Sequence, residues 1–263
     1  MTYQRFVALG DSCAEGLDDP YPGGRIYRGW ADLVAGRLAA DAPGFRYANL
    51  AVRGRRLDQI ITEQLPTATA LRPDLVALFG GGNDVMSRGF AADVVRTRVH
   101  TAVRELTRLA PTVVVFTISD ISQRMPIVRG MGARLAVLNA AMREAADTFG
   151  ALLVDLCPDE TVHDLRYFGP DRLHLSEPGH RRVAAHLLAT LGRSYDPDWL
   201  TPLPGPALRP GVLDHAEWVW RQVLPVAYTR MRNRLVGRLP GDGFGPKRPQ
   251  LLPVHSGEPS SVS

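Results

Sequence analysis

Two short polar segments of this 263-residue chain hold residue types that could together activate a serine hydroxyl. Ser12 lies in the segment 10–16, directly after the apolar run 6–9. Asp171 and His174 are three residues apart, a spacing at which a carboxylate on a loop can hydrogen-bond to an imidazole. Asp171 would then hold the tautomer of His174, leaving the other ring nitrogen free to take the proton of Ser12. This pattern is typical of nucleophilic catalysis by a serine.

Two further segments hold groups that could stabilise the negative charge formed in such a reaction. Asn83 follows two glycines in the segment 81–84, and its side-chain amide could donate to a developing oxyanion. Gly54 ends the segment 49–54, where the lack of a side chain would let its N–H approach a ligand closely. Two plainer interpretations stay open: Asn83 with Asp84 could cap a helix, and Gly54 could serve only a turn.

These segments lie between predicted elements that alternate along the chain. Short apolar runs predict strands at 6–9, 45–50, 75–79, 112–118 and 151–156. Longer segments with helical patterning predict helices at 30–40, 57–70, 91–109, 133–149 and 177–191. The alternation predicts an α/β fold in which helices cover both faces of a mostly parallel five-stranded sheet. Ligands of such sheets bind at the carboxyl ends of the strands, where the serine, glycine and asparagine segments begin.

Together the four segments resemble the four blocks of the SGNH hydrolases, also called the GDSL esterase/lipase family. The family carries Ser, Gly, Asn and His in that order, and this sequence has Ser12, Gly54, Asn83 and His174. The resemblance covers residues 5–192 and implies a three-layer, flavodoxin-like α/β/α fold. It implies Ser12 as nucleophile, His174 as general base and then acid, and Asp171 as the residue that orients His174. The implied oxyanion hole consists of the Ser12 and Gly54 N–H groups and the Asn83 amide.

The sequence departs from the family pattern at two positions. Cys13 replaces the usual leucine of the Gly-Asp-Ser-Leu signature, and Leu175 replaces the proline that often follows the histidine. The resemblance implies a serine esterase that hydrolyses acetyl, short-acyl or lipid-type carboxylic esters through an acyl-enzyme, without a cofactor or metal. Two alternatives stay open: an acyltransferase that uses the same acyl-enzyme, and a non-catalytic scaffold that acts through a basic C-terminal helix.

Substrate-binding residues are predicted in two loops. Tyr27, in the loop 18–29 that follows the nucleophile, could form a wall of the cleft. Met125 and Ile127 lie in an apolar loop at 120–132 that could line an acyl pocket, although both loops could equally be ordinary surface loops. A further group of polar residues at 155–163 has a spacing that fits no standard metal site, so no metal ligand is predicted.

Residues 1–195 are predicted to form the hydrolase domain and residues 196–263 a C-terminal extension, which holds 11 of the 21 prolines. One amphipathic helix is predicted at 213–239, kinked or split by Pro225. Its apolar face consists of Trp220, Leu224, Ala227, Met231 and Leu235. The helix could pack its Trp218/Trp220 face on the hydrolase domain, contact an anionic membrane surface or bind a protein partner. From Gly241 onward the composition predicts a mobile tail.

Net charge and cysteine content narrow the range of partners and locations. The net charge is +4, and the segment 218–238 alone holds five arginines and no acidic residue. The basic character therefore belongs to one helix, and without a recognition motif it does not predict nucleic-acid binding. Two cysteines and the lack of a signal-peptide pattern predict a cytoplasmic location. No apolar run approaches the roughly 18–20 residues of a membrane-spanning helix.

Overall fold

The computed structural model describes residues 2–24, 26–122 and 124–254 of the chain. Its strands are β1 (Arg5–Gly10), β2 (Arg46–Asn49), β3 (Leu75–Phe79), β4 (Thr112–Phe116), β5 (Leu152–Val154) and β6 (Arg248–Pro253). Its α-helices are α1 (Ser12–Glu15), α2 (Gly29–Asp41), α3 (Leu57–Gln59), α4 (Leu65–Leu71), α5 (Gly82–Val85), α6 (Ala92–Leu109), α7 (Gly132–Phe149), α8 (Glu177–Thr190), α9 (Val212–Trp218) and α10 (Leu224–Leu235). π-Helical turns at Ile60–Gln64 and Val219–Val223 join α3 to α4 and α9 to α10. Short 3₁₀ helices are formed by Pro126–Met131, Glu160–His163, Leu165–Tyr167 and Pro197–Trp199.

The strands form one sheet in the order β5-β4-β3-β1-β2-β6. Strands β1 to β5 are parallel, and their order is that of flavodoxin-like folds, so the predicted fold class is confirmed. The predicted number of five strands is wrong, because β6 adds a sixth strand antiparallel to β2.

Strand β6 also corrects the expected mobile tail, since residues 248–253 lie inside the segment predicted to be mobile. Its sequence contains Pro249 and Pro253, which lack the N–H that an inner strand must donate. An edge strand tolerates proline because one side of its backbone faces no neighbour. The prolines therefore argued against a strand in the sequence, although β6 lies at the edge of the sheet, where proline is tolerated.

Side chains of the strands alternate between two hydrophobic cores, one on each face of the sheet. In β1, Phe6 and Ala8 belong to one core, and Val7 and Leu9 belong to the other. Helices α2 and α8 cover the first face, where Trp30 is fully buried. Helices α6 and α7 cover the second face. The two cores fix the sheet between helical layers and thereby align the ends of its strands.

The prediction that the Trp218/Trp220 face packs on the hydrolase domain is correct for Trp218 and wrong for Trp220. Trp218 is 5% exposed and belongs to the core over α6 and α7, whereas Trp220 and Leu235 are 73% and 80% exposed. The π-helical turn that follows Trp218 contains an extra residue, which shifts the phase of the helix before Pro225. Residues 212–235 are helical throughout, so the helix is not split, and the predicted disturbance near Pro225 is limited to this π-helical turn. Contact of this helix with a membrane surface stays a prediction, and no helix in the described ranges has the length and apolarity to span a bilayer.

Lys247, the only lysine of the chain, attaches the extension to α2. Its side chain is 10% exposed, and its Nζ lies 2.9 Å from Oδ1 of Asp32, which is 14% exposed. The same Nζ donates to the carbonyl oxygens of Tyr27, at 2.8 Å, and Arg28. Oδ1 of Asp32 also accepts from the Tyr47 hydroxyl at 2.8 Å. All three ammonium protons of Lys247 therefore have acceptors within a buried polar cluster.

Candidate active site

Ser12 is the first residue of α1 and lies two residues after Gly10, which ends β1 opposite the last residue of β3. Gly10 has φ +145°, and a Cβ at this position would lie 2.0 Å from the Phe79 carbonyl oxygen. Only glycine therefore allows β1 to turn into α1 at this point. Asp11 caps α1, because its carboxylate accepts from the Cys13 N–H at 3.1 Å. These constraints hold Ser12, which is 9% exposed, at the carboxyl edge of the sheet.

Ser12, His174 and Asp171 form a continuous chain of hydrogen bonds. Ser12 Oγ lies 2.7 Å from Nε2 of His174, and Nδ1 of the same ring lies 2.5 Å from Asp171 Oδ2. Asp171 Oδ1 accepts from the backbone N–H groups of Leu173, at 2.9 Å, and His174, at 3.0 Å. The carboxylate is thus fixed by its own loop while it orients the imidazole. The arrangement can remove the proton of Ser12 as its oxygen attacks a carbonyl carbon.

The C-terminal extension contacts the loop that holds Asp171. Trp218 donates from Nε1 to the Asp171 carbonyl oxygen at 3.2 Å. The next residue, Arg172, has φ +61°, and one of its guanidinium nitrogens lies 2.8 Å from Nδ1 of His215. Its guanidinium also lies 4.9 Å from the centre of the Trp218 ring. Residues outside the predicted hydrolase domain therefore contact the loop whose carboxylate orients His174.

Opposing effects set the pKa of the imidazole. Burial lowers the pKa of His174, but the hydrogen bond and charge of Asp171 outweigh it and raise the pKa above 6.5. The charges of Asp18 and Asp11 raise it further. Burial raises the pKa of Asp171, yet its bonds to His174 bring the pKa below the usual value. The pair is therefore stabilised in its charged form, the state reached when the imidazole has taken a proton.

Replacing Asp18 by asparagine is expected to shift the acidic limb of the pH profile of kcat/KM to lower pH. His174 must be neutral to accept a proton, and the Asp18 charge raises its pKa, so removing that charge keeps the imidazole neutral at lower pH. Asparagine suits the left-handed backbone at this position, φ +67°. Asp93→Asn, on the exposed surface of α6, serves as the control. Profiles measured between pH 5 and 9 that coincide for wild type and Asp18→Asn would contradict the assignment.

Asn83 lies beside Ser12 and is oriented by Asp11. Its Nδ2 donates to Asp11 Oδ2 at 3.1 Å and to the Arg55 carbonyl oxygen at 3.2 Å. Burial raises the pKa of Asp11 to about 6, although the bonds from Cys13 and Asn83 lower it. Both amide protons of Asn83 are therefore bonded within the protein, and Asp11 fixes this side chain beside the pocket in addition to capping α1. Only the position of Asp11 beside Ser12 suggests this role in the sequence.

Gly54 lies one residue before Arg55, whose carbonyl oxygen accepts from Asn83. Its φ is +80°, and a Cβ at this position would lie 2.8 Å from the Pro240 carbonyl carbon in the extension. Glycine is thus required both by the backbone conformation and by close packing. Within the described ranges its N–H has no hydrogen-bond acceptor. Gly54 does not line the pocket next to Ser12, in contrast to Asn83.

Two cavities adjoin this site. A small cavity of about 60 Å³ is lined by Ser12, Asn83 and His174, among others. A larger cavity of about 750 Å³ is lined by Met125, one of the predicted substrate-binding residues. The Tyr27 ring lines neither cavity and instead lies 5.4 Å from the Arg53 guanidinium. The side chain of Ile127 lies outside the described part of the chain.

In the described ranges, one group of acidic and histidine side chains is compact enough to hold a metal ion. It consists of Asp18, Asp171 and His174, whose ligand atoms lie within 4.8 Å of one another. Two of these residues are already engaged in the hydrogen-bond chain to Ser12. The hydrogen bonds account for the geometry of this group without a metal.

Comparison with known protein families agrees with this arrangement. The model of the GDSL-like lipase/acylhydrolase family matches residues 8–182. The chain belongs to this family. As a GDSL-family member it is an SGNH-type hydrolase, and the match includes Ser12, Gly54, Asn83 and His174. No significant match is found among curated protein sequences.

Solved structures of other proteins resemble the fold of this GDSL-family chain. LAE5, an alpha/beta hydrolase from the metagenome of Lake Arreo, Spain, is 23% identical with a TM-score of 0.59, covering 72% of this chain and 95% of its own. Axe2, an acetylxylan esterase from Geobacillus stearothermophilus, is 22% identical with a TM-score of 0.57, covering 73% and 95%. A lipolytic G-D-S-L family protein from Veillonella parvula is 18% identical with a TM-score of 0.58, covering 73% and 100%.

Two residues of this GDSL-family chain affect the catalytic residues in a way that was not predicted from the sequence. Asp18 raises the pKa of His174, and Trp218 bonds to the Asp171 loop. Asp18 has a left-handed backbone conformation, and its carboxylate lies within 4.8 Å of a His174 ring nitrogen, a proximity that sequence patterning does not predict. Trp218 contacts the Asp171 loop across 47 residues of sequence. The sequence indicated that Trp218 could pack on the hydrolase domain, but it did not indicate the contact with the Asp171 loop.

Proposed function

We propose that this chain is a serine esterase that hydrolyses carboxylic esters of short acyl groups through an acyl-enzyme on Ser12. The observation that carries the proposal is the contact of 2.7 Å between Ser12 Oγ and His174 Nε2, with Asp171 bonded to the other ring nitrogen. A serine and an imidazole so arranged form a nucleophile and its general base. Membership of the GDSL-like acylhydrolase family supports the same chemistry.

In the proposed first half-reaction, Ser12 Oγ attacks the ester carbonyl carbon while Nε2 of His174 takes its proton. The carbonyl oxygen becomes an oxyanion, which the Ser12 and Gly54 N–H groups stabilise together with the Asn83 amide, one of whose protons moves from the Arg55 carbonyl oxygen to the oxyanion. The C–O bond to the alcohol then breaks, and His174 returns the proton to the departing oxygen. The products of this half-reaction are the alcohol and an ester between the acyl group and Ser12.

In the proposed second half-reaction, water replaces the alcohol. His174 takes a proton from the water as its oxygen attacks the acyl-enzyme, and the same donors stabilise the second oxyanion. The bond to Ser12 Oγ breaks, His174 returns the proton to the serine, and the free acid leaves. Asp171 holds the tautomer of His174 in both halves and stabilises the imidazolium through its charge.

The size of the catalytic pocket supports a small acyl group. Its volume of about 60 Å³ is less than half of the roughly 150 Å³ of an apolar cavity that holds one benzene molecule. Ile118, Ile121 and Leu135 close its inner side with apolar surface. An acetyl group matches this space, and one of the similar structures is an acetylxylan esterase.

A series of p-nitrophenyl esters from acetyl to octanoyl tests the proposal. We expect kcat/KM to be highest for the acetyl ester and to fall as the acyl chain grows. Mass spectrometry of the acid-quenched reaction is expected to find the acetyl group on the peptide that contains Ser12. Hydrolysis without acylation of that peptide would contradict the acyl-enzyme. Acetyl recovered on an added alcohol, with little free acetate, would instead identify an acyltransferase.

We infer a cytoplasmic location for this activity. Cys13 and Cys157 are both free thiols, and Cys157 is exposed. Exposed free thiols are typical of reducing compartments, because oxidising ones favour disulfides.

A further inference from the structure

The cavity of about 750 Å³ adjoins the catalytic pocket. Met86 and Leu173 line both cavities, and Leu173 directly precedes His174. The volume lies within the range of about 300–1,000 Å³ that is usual for small-molecule sites. The two cavities therefore lie side by side, with these two side chains between them.

Flexible apolar side chains dominate the walls of the larger cavity. Four of the six methionines of the chain line it: Met86, Met125, Met131 and Met231. Methionine is unbranched and polarisable, so such walls adapt to flexible alkyl groups. Met231 belongs to α10, and Trp218 and Val223 of the extension line the same side. The extension thus builds one wall of a cavity whose other wall belongs to the hydrolase domain.

Three arginines line the same cavity: Arg88, Arg230 and Arg234. Within the described ranges, no carboxylate oxygen lies within 4.0 Å of their guanidinium nitrogens, in contrast to most arginines of the hydrolase domain. The one acidic residue in the lining is Asp171, whose carboxylate is bonded to His174. The cavity therefore offers unpaired positive charge beside apolar surface, which complements a molecule that is both apolar and anionic.

We infer that the larger cavity binds the alcohol part of the substrate, an apolar chain that ends in an anionic group. This inference rests on the proposed esterase function, in which an acetyl-sized group fills the pocket next to Ser12. The larger cavity then receives the rest of the ester, with its chain against the methionines and its charge at the arginines. The substrate class is an acetyl ester, dissolved as a monomer, of an apolar alcohol that carries a negative charge.

Matched pairs of acetyl esters test the charge. Hexyl acetate and 6-acetoxyhexanoate differ only in a terminal methyl or carboxylate group, and butyl and octyl pairs vary the reach. At the chain length that is hydrolysed fastest, we expect the kcat/KM of wild type to be about tenfold higher for the carboxylated ester than for its uncharged partner. Two exposed ion pairs between the carboxylate and arginine side chains can supply an effect of this size. The double variant Arg230→Gln/Arg234→Gln is expected to bring this ratio close to one. Arg232→Gln removes a charge from the same helix outside the cavity and is expected to leave the ratio unchanged.

Each ratio compares the kcat/KM of two esters in the same variant, so a general loss of activity cancels. The ratio therefore reports the effect of the cavity arginines on the charged ester. Equal ratios in wild type and the double variant would overturn the inference. Ala227→Trp tests the apolar part independently, because Ala227 lines the cavity and a tryptophan would fill it. In this variant, the fold-loss of kcat/KM is expected to be at least five times as large for octyl acetate as for ethyl acetate. The reason is that several methylene groups of the octyl chain lose their apolar contacts. Equal losses for both esters would likewise overturn it.

The two proposals fail in different ways. Hydrolysis of ethyl acetate that depends on Ser12, without any preference for the carboxylated esters, would overturn the cavity assignment and leave the esterase intact. Inactivity of the folded wild-type protein toward every acetyl ester would overturn the esterase function, and the cavity assignment with it.

Discussion

Replacing Ser12 by alanine is expected to lower kcat for acetyl esters by about 10⁴- to 10⁶-fold while the protein stays folded. The serine oxygen is the atom that bonds to the acyl group, and among the residues that the structure describes it is the only hydroxyl bonded to His174. Alanine removes only this oxygen from the first residue of α1, and the cap of that helix comes from Asp11. Hydrolysis of p-nitrophenyl acetate, followed under conditions that saturate the enzyme, measures the loss.

Ser194→Ala is the matched control, because Ser194 is exposed and, within residues 2–24, 26–122 and 124–254, its hydroxyl bonds only to Arg37. Its kcat should equal that of wild type. Circular dichroism and urea unfolding of both variants should superimpose on those of the wild type, which excludes misfolding as the cause. Substantial residual turnover by a folded Ser12→Ala variant would refute the assignment of the nucleophile.

Replacing Lys247 by methionine is expected to lower the free energy of unfolding by about 3–5 kcal/mol, the usual cost of breaking a buried ion pair by removing one partner. Methionine nearly keeps the length of the side chain but removes the charge. The Asp32 carboxylate, 14% exposed, then loses its cation, and the Tyr27 and Arg28 carbonyl oxygens lose a donor. Urea unfolding followed by tryptophan fluorescence measures the change.

Arg232→Met provides the comparison, because Arg232 is an exposed cation of the same extension. It is expected to change the free energy of unfolding by less than about 0.5 kcal/mol. The double variant Lys247→Met/Asp32→Asn should recover part of the loss, since it removes the buried charge that the single variant leaves unpaired. If Lys247→Met unfolds like Arg232→Met, the buried cluster does not attach the extension.

The catalytic constellation could be predicted because its information is local. Ser12 and Asn83 each follow a strand made of consecutive buried apolar residues, and the two strands are neighbours in the sheet. A parallel sheet necessarily brings the ends of neighbouring strands together. Asp171 and His174 lie on one short loop, so their spacing alone indicated the contact. The fold class followed from the same alternation of strands and helices.

The role of the extension could not be predicted because it depends on distant contacts. Strand β6 pairs with β2 across roughly 200 residues, and its prolines suit an edge that no sequence pattern identifies. The π-helical turn after Trp218 contains an extra residue, so the buried face of the helix changes in a way that a constant helical period does not predict. The arginines of α10 could not be assigned to a cavity from the sequence, because the cavity exists only where α10 lies near Met86 and Met125 in the folded protein.

The burial of the only lysine has a practical consequence for chemical probing. An amine-acylating reagent, or an endoprotease specific for lysine, has a single internal target in this chain, at Lys247. That target is 10% exposed and is engaged by three acceptors, so it reacts only in molecules whose C-terminal strand has come away from α2. The rate of modification at this amine therefore reports the opening of the extension in the native protein, separately from global unfolding.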